Sequence, residues 1–318
     1  MIWPTLARRE TATSARVRDP ASLIWRLAVA LTLIPSAAAS QSPGEPAPGR
    51  RVQVGEHLMH IHCAGPRDAG VTVIFEAGGG GFSSHWDGVR QQLGPGIHSC
   101  AYDRSGLGWS EPGPAPRTMA QEVFELHALL RASDISGPLV LVGQSIGGLL
   151  VRLYTASYPD DVAGTVLVDP THESDVLFNL RASRWVRLPE LAAERAVPEP
   201  KLTGPTAGDY DPAQDFQAEE FRKILRDRQA DPQPLGERPL IVIGAGKRPA
   251  PPGTTEEFWS ELRWEKDGQK IDLSRLSTNS KFILDPSSGH NIHFDNPRLV
   301  ARAVEEVVGA IESGRRLE

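Results

Sequence analysis

The sequence contains few cysteines and no stretch dominated by basic residues. Only Cys63 and Cys100 occur among 318 residues, and their spacing matches no zinc-site pattern. The formal net charge is −6, and no run rich in lysine or arginine interrupts the body of the chain. This charge distribution argues against a nucleic-acid-binding protein.

Long apolar runs are also missing, apart from residues 27–34. Five arginines precede that run and small residues follow it at 36–40, an order typical of a secretory signal. The run is too short to span a bilayer comfortably. We therefore expect residues 1–40 to be a cleaved signal peptide and the protein to be exported to the periplasm or the medium. An uncleaved anchor or a misassigned start is the alternative.

The mature chain is expected to be acidic and without a stable membrane span. Cleavage after residue 40 would remove five arginines and two acidic residues, and so change the formal net charge from −6 to −9. A Pro/Gly-rich linker at 41–50 would then precede the folded part.

Short apolar segments alternate with amphipathic ones along the rest of the chain. This alternation predicts an α/β fold with a mostly parallel eight-stranded sheet flanked by helices. The predicted strands are 51–54, 57–63, 71–76, 97–102, 139–142, 165–168, 239–243 and 281–284. The predicted helices are 84–93, 118–132, 146–157 and 297–312.

The alternation is interrupted between residues 171 and 237. This segment mixes apolar residues with proline, glycine and charge, and it is too long for a loop in a compact domain. We interpret it as an insertion between strands 6 and 7 that divides the core into 51–170 and 238–318. A lid over a pocket is the functional interpretation, and an insertion with no such role is the alternative.

A serine lies at the junction between the fifth predicted strand and the helix that follows it. Residues 143–147 match the pattern G-x-S-x-G, in which a sharp turn lifts the serine above the edge of a sheet. Ser145 could be a simple helix cap. It could also be a nucleophile, which would need a base, an orienting acid and an oxyanion site.

Four consecutive glycines follow the third predicted strand, at 78–81. Glycines there let backbone N–H groups approach a substrate oxygen closely. A flexible turn is an alternative, and a phosphate loop is disfavoured because no Lys-Ser/Thr pair follows. We assign the N–H groups of Gly79 and Ile146 as oxyanion donors and place Gly78 in the same site.

Together these motifs resemble the α/β-hydrolase family, in its serine esterase and lipase-like branch. Residues 101–110 (AYDRSGLGWS) are similar to the D-x-x-G-x-G-x-S segment of the family, and Gly78 and Trp86 have the spacing of its oxyanion segment. Two supporting positions differ, since Ala77 and Gln144 replace the frequent histidines. The resemblance covers about residues 51–313.

The resemblance implies that the triad follows the chain order nucleophile, acid, base. His290 follows a glycine just after the last predicted strand and is the expected base, with His293 as the alternative. The turn after the seventh strand carries no carboxylate, so Asp169, at the end of the sixth strand, is the expected acid. A loop-capping role is the alternative for Asp169. Other acids are either outside candidates (Glu256, Glu257, Asp267) or less favoured (Asp285, Asp103).

The resemblance also implies that the second and fourth strands are neighbours, which favours a Cys63–Cys100 disulfide over two free thiols. The expected activity is hydrolysis of an ester bond in a small-molecule substrate with an apolar acyl group through Ser145, His290 and Asp169, without metal or organic cofactor. Peptidases, C–C hydrolases and haloperoxidase-like enzymes share such a triad, and a non-catalytic binding protein of the same fold is a further alternative.

Overall fold

The protein is built around one twisted sheet of eight strands. The computed structural model describes residues 47–174, 195–206, 214–250 and 253–318. The spatial strand order is β1-β2-β4-β3-β5-β6-β7-β8. The strands are β1 (Arg50–Val54), β2 (His57–Ala64), β3 (Thr72–Glu76), β4 (His98–Tyr102), β5 (Leu139–Gln144), β6 (Val162–Val168), β7 (Leu240–Ala245) and β8 (Ser280–Asp285).

Only β2 pairs antiparallel with both of its neighbours, β1 and β4, and every pair from β4 to β8 is parallel. The central strands are buried on both faces, which explains their continuous apolar sequences. In β5, Leu139 and Leu141 pack into one core layer, while Val140 and Val142 pack into the other. The strand period of two therefore divides a single apolar run between two cores.

Helices cover both faces of this sheet. Within the described residues they are α1 (Asp87–Arg90), α2 (Met119–Ala132), α3 (Gly147–Ser157), α4 (Gln217–Ala230), α5 (Glu256–Ser274), α6 (Ile292–Asp295) and α7 (Pro297–Ser313). Short 3₁₀ turns occur at Ser83–Trp86 and Pro159–Asp161. Buried residues of α2, α3 and α5 belong to one core layer, and those of α1 and α7 to the other.

Residue chemistry explains where the long helices begin and end. Thr118 accepts a hydrogen bond from the N–H of Gln121 at 3.0 Å and so caps α2. Asn296 caps α7 in the same way, with Pro297 in the first turn and Gly314 ending the helix at φ 64°. None of the described helices has the length and apolar character that a membrane crossing requires.

The structure confirms the α/β class, the mostly parallel sheet and all eight predicted strands, with shifted ends. Predicted helical segment 84–93 is confirmed over 84–90 but ends earlier than expected, because its first turn is 3₁₀ and its α-helical part ends at Arg90. Helix α5 was missed.

The expected signal peptide (1–40) and most of the linker (41–50) lie outside the described residues, and Arg50 already begins β1. Much of the expected lid (171–237) also lies outside them, so its role remains a prediction.

A disulfide joins Cys63 of β2 to Cys100 of β4. The two residues are direct partners in the antiparallel ladder. His98 lies close by, with its ring and the two sulfur atoms within 4.8 Å of one another. Because the disulfide occupies both sulfur atoms, this trio offers no thiolate to a metal ion.

Candidate active site

The junction of β5 and α3 is a sharp turn with Ser145 at its tip. Ser145 has φ +55°, a conformation that non-glycine residues rarely adopt. The flanking glycines make the turn possible. A Cβ on Gly143 would lie 2.4 Å from the carbonyl oxygen of Gly147, and a Cβ on Gly147 would lie 2.6 Å from that of Ala77.

Backbone hydrogen bonds hold this turn in place. The N–H of Ser145 donates to the carbonyl of Val168 at 3.2 Å, and the N–H of Thr171 donates to the carbonyl of Ser145 at 3.0 Å. The serine is thus fixed to the carboxyl end of β6 on one side. Strain held by its surroundings in this way is common at functional sites.

The glycine segment after β3 lies directly beside the serine. A Cβ on Gly78 would be 3.4 Å from the Cβ of Ser145, and a Cβ on Gly79 would be 3.8 Å from Cγ2 of Ile146. The structure therefore brings the three expected oxyanion-site residues next to Ser145. Among the described residues, neither the Gly79 N–H nor the Ile146 N–H donates to a backbone carbonyl in a turn, loop or helix cap.

Ser145, His290 and Asp169 form a continuous hydrogen-bonded chain. Nε2 of His290 lies 3.0 Å from Oγ of Ser145, and Nδ1 of His290 lies 2.6 Å from Oδ2 of Asp169. The three residues come from three separate carboxyl-end loops, those after β5, β6 and β8. The aspartate side chain is 7% exposed and that of the histidine 55% exposed, so the ring is open to solvent while its acid is not.

Asp169 is held in its ionised form by its surroundings. Burial opposes ionisation of this carboxyl, but Lys270, the hydrogen bond with His290 and the charge of Arg248 outweigh burial and hold the pKa of Asp169 well below its usual range. Nζ of Lys270 lies 3.7 Å from Oδ1, and Nη2 of Arg248 lies 3.4 Å from the same oxygen. The N–H of Ala245 donates to it at 3.2 Å.

The other candidate acids do not reach His290 in the structure. Asp267 pairs with Arg248 at 2.7 Å, and Asp103 accepts from the backbone N–H groups of Ser83 and Trp109. The remaining three are occupied or placed elsewhere: Asp285 binds serines of the β8–α6 turn, Glu256 pairs with Arg263, and Glu257 is exposed on α5.

His293 lies near the site without joining the chain. It is 3% exposed and packs against the rings of Trp86 and Phe294 at centroid distances of 5.0 and 4.1 Å. Burial, together with the charges of His85 and His290, lowers the pKa of His293 to about 3. It is therefore a neutral packing residue at ordinary pH.

Gln144 is a site residue whose contacts the sequence did not predict. Its Nε2 donates to the backbone carbonyl oxygen of His290 at 3.2 Å. The same Nε2 lies 3.3 Å from Nε2 of the His290 ring. The carbonyl contact fixes which end of the amide faces the histidine. Gln144 thus connects the loop carrying the serine to the loop carrying the histidine.

Arg248 and Lys270 were also missed, for a reason visible in the chain. Both act on Asp169 from the region between β7 and β8, where no helix was expected. The Thr255 cap followed by Glu256 and Glu257 is a helix-start signal that could have revealed α5.

Comparisons with known proteins agree with this fold. A model of the alpha/beta hydrolase family matches residues 73–303. Protein YqjL of Bacillus subtilis (strain 168), itself uncharacterised, is 32% identical over 239 residues, which cover 75% of this chain and 84% of YqjL.

Two further similarities come from proteins with described activities. Lipase LipV of Mycobacterium tuberculosis is 43% identical over 115 residues, which cover 35% of this chain and 41% of LipV. A thermophilic esterase from Thermogutta terrifontis superposes with a TM-score of 0.54 at 19% identity, over 83% of this chain and 99% of the esterase. At that identity the superposition concerns the fold alone. From the family match over more than half of its length, the chain belongs to the alpha/beta hydrolase family.

Proposed function

We propose that this protein is a serine hydrolase that cleaves an ester bond through an acyl-enzyme, with Ser145 as nucleophile, His290 as base and Asp169 as orienting acid. The observation that carries the proposal is the unbroken hydrogen-bonded chain from Oγ of Ser145 through both ring nitrogens of His290 to the buried carboxylate of Asp169. That arrangement matches the requirements of nucleophilic acyl transfer.

In the first half of the reaction, Oγ of Ser145 attacks the ester carbonyl carbon while Nε2 of His290 accepts the serine proton. Asp169 accepts a hydrogen bond from Nδ1–H and stabilises the imidazolium that forms. The carbonyl oxygen becomes an oxyanion, to which the N–H groups of Gly79 and Ile146 donate. His290 then protonates the leaving alcohol as the C–O bond breaks, leaving an acyl-serine.

In the second half, water replaces the alcohol. His290 accepts a proton from the water, whose oxygen attacks the acyl carbon, and returns a proton to Oγ of Ser145 as the acid product leaves. The proton transfers between serine and histidine take place between atoms that lie 3.0 Å apart in the structure. The residues named here require no metal or organic cofactor for either step.

The proposal includes a small-molecule substrate with an apolar acyl group and export from the cytoplasm. The apolar residues of the 171–237 segment and the sequence similarity to a lipase support the substrate class. The charged and apolar leader supports export, as does the disulfide between Cys63 and Cys100, because disulfides persist in oxidising compartments.

The test is hydrolysis of a short and a long p-nitrophenyl ester by the purified chain, compared with Ser145→Ala. We expect the wild type to turn over at least one ester and to be labelled by a fluorophosphonate, with turnover in Ser145→Ala reduced by at least about 10⁴-fold. Loss on that scale is expected because the variant has no nucleophile to acylate.

Ser136→Ala is the matched control, because Ser136 is an exposed serine ahead of β5, at the opposite edge of the sheet. It should keep wild-type turnover and labelling. A wild type that neither hydrolyses the esters nor reacts with the fluorophosphonate would overturn the proposal and favour a non-catalytic binding protein. Cleavage of a peptide substrate in place of both esters would change the substrate class but leave the triad.

A further inference from the structure

The expected oxyanion donor Gly79 shares a peptide unit with the carbonyl of Gly78. In a planar trans peptide the C=O of one residue and the N–H of the next point in opposite directions. Whatever fixes the Gly78 oxygen therefore also fixes the direction of the Gly79 N–H. One restraint is local, since the N–H of Gly81 donates to the Gly78 carbonyl at 3.1 Å. Neither glycine has a side chain, so any side-chain restraint comes from elsewhere in the protein.

Arg104 supplies a side-chain restraint from the loop after β4, in addition to the Gly81 N–H. Its Nη2 donates to the carbonyl oxygen of Gly78 at 2.6 Å, and its Nη1 donates to that of Ala77 at 2.7 Å. The planar guanidinium thus holds two successive carbonyls in one geometry, which a flexible ammonium would not do equally well. The opposite edge of this peptide carries the Gly79 N–H, and the peptide lies beside the serine, since a Cβ on Gly78 would be 3.4 Å from the Cβ of Ser145.

The guanidinium is itself held by two acidic side chains, of which Glu76 is fully buried. Arg104 is 6% exposed and its Nη1 also donates to Glu76, which is 1% exposed and accepts a second hydrogen bond from the hydroxyl of Tyr102. Glu122 lies 3.7 Å from Nε of Arg104. Burial opposes the charge on Arg104, but Glu76 and Glu122 outweigh it and raise the pKa of the guanidinium.

We propose that Arg104 is a positioning residue of the oxyanion site, which orients the Gly79 N–H toward the developing oxyanion by holding the carbonyls of Ala77 and Gly78. This inference rests on the proposed function. Arg104 touches no reacting atom. It acts through the peptide plane, so its loss should affect the transition state more than substrate binding.

The test measures kcat, KM and inhibition by an alkyl trifluoromethyl ketone for Arg104→Lys and Arg104→Gln. The ketone forms a tetrahedral adduct with a nucleophilic serine, and its oxyanion occupies the same site as that of the substrate. We expect kcat per active site to fall by about 10- to 100-fold in both variants, with KM changing less than about 3-fold. The inhibition constant should rise by a factor similar to the fall in kcat/KM.

Titration of active sites with a fluorophosphonate, taken to completion, separates this role from a structural one. A variant that merely folds poorly would show fewer labelled sites, each with wild-type kcat. Arg238→Gln is the matched control, because Arg238 also donates to backbone carbonyls, those of Val162 and Pro159, but away from the site. It should keep wild-type kcat per site and wild-type ketone inhibition.

Arg104→Lys decides the outcome if Arg104→Gln does not fold, because lysine keeps a positive charge opposite Glu76. Wild-type kcat per labelled site and unchanged ketone inhibition in Arg104→Lys would overturn the proposal for Arg104 and leave the hydrolase function standing. A wild type inert to esters and to the fluorophosphonate would overturn both.

Discussion

At the residue scale, the acid of the proposed triad shows how the site depends on distant parts of the sequence. The turn after β7 lacks a carboxylate. In the structure the last residue of β7, Ala245, and Arg248 of that turn contact a carboxylate that follows β6. Lys270 of α5 adds a second positive charge. The chain order and turn motifs could predict Ser145, His290 and Asp169. They could not predict the cations, because only the fold brings α5 to the end of β6.

Replacing Asp169 with asparagine tests the acid directly. We expect Asp169→Asn to lower kcat by about 10³- to 10⁴-fold, because an amide neither stabilises the imidazolium nor enforces the tautomer that leaves Nε2 free to accept the serine proton. Ester turnover per titrated active site is the measurement. Asp267→Asn is the control, since Asp267 also binds Arg248 but does not touch His290. Equal losses in the two variants would argue against Asp169 as the acid.

At the scale of elements, strands were easier to predict than helices. Strands buried on both faces, such as β5 and β7, leave a continuous apolar signature. Helix α5 breaks the usual pattern, because it buries Lys270 against the carbonyl of Pro170 while Trp264 on the same helix is 80% exposed. An apolar periodicity therefore could not reveal it. The contacts that fix Lys270 in the core are electrostatic and depend on the tertiary structure.

The β8–α6 turn that carries His290 is itself organised by Asp285. This carboxylate accepts hydrogen bonds from Ser287, Ser288 and Asn296, at 2.7, 2.6 and 2.9 Å between side chains. Burial opposes its ionisation, but these hydrogen bonds outweigh burial and lower the pKa of Asp285 to about 2. A depressed folded-state pKa stabilises the protein above the unfolded-state pKa, and this contribution disappears as the pH falls toward 2.

Asp285→Asn should therefore destabilise the protein in a pH-dependent way. We expect the free energy of unfolding to fall by about 1 to 2 kcal/mol at pH 7, and the difference from wild type to shrink as the pH is lowered from about 4 toward 2. Denaturant unfolding at several pH values measures it, with Asp68→Asn, an exposed loop variant, as the control. A difference that stays constant down to low pH would contradict the role given to the carboxylate.

At the scale of the whole molecule, the sheet order explains why distant motifs converge. The parallel arrangement from β4 to β8 directs the loops after β3, β5, β6 and β8 to one edge, where Gly79, Ser145, Asp169 and His290 meet. Strand spacing and turn motifs are local features, so the sequence could predict this convergence. The role of residues 171–237 could not be predicted in the same way. Their mixture of apolar, proline and charged residues does not specify how the segment packs.

The disulfide between β2 and β4 closes a loop that contains β3 and much of the oxyanion segment. Its cysteines are separated by 37 positions, and closing a loop of this length in the unfolded chain corresponds to about 4 kcal/mol in the chain-entropy model. We therefore expect the double variant Cys63→Ala/Cys100→Ala to unfold about 10 °C below the oxidised wild type in a thermal melt. A thiol reductant should lower the melting temperature of the wild type toward that of the double variant and leave the double variant unchanged. If the wild type loses its disulfide, as counted by free thiols after denaturation, and still melts at the oxidised temperature, the bridge is not a major source of stability. The fold would then depend on its two core layers alone.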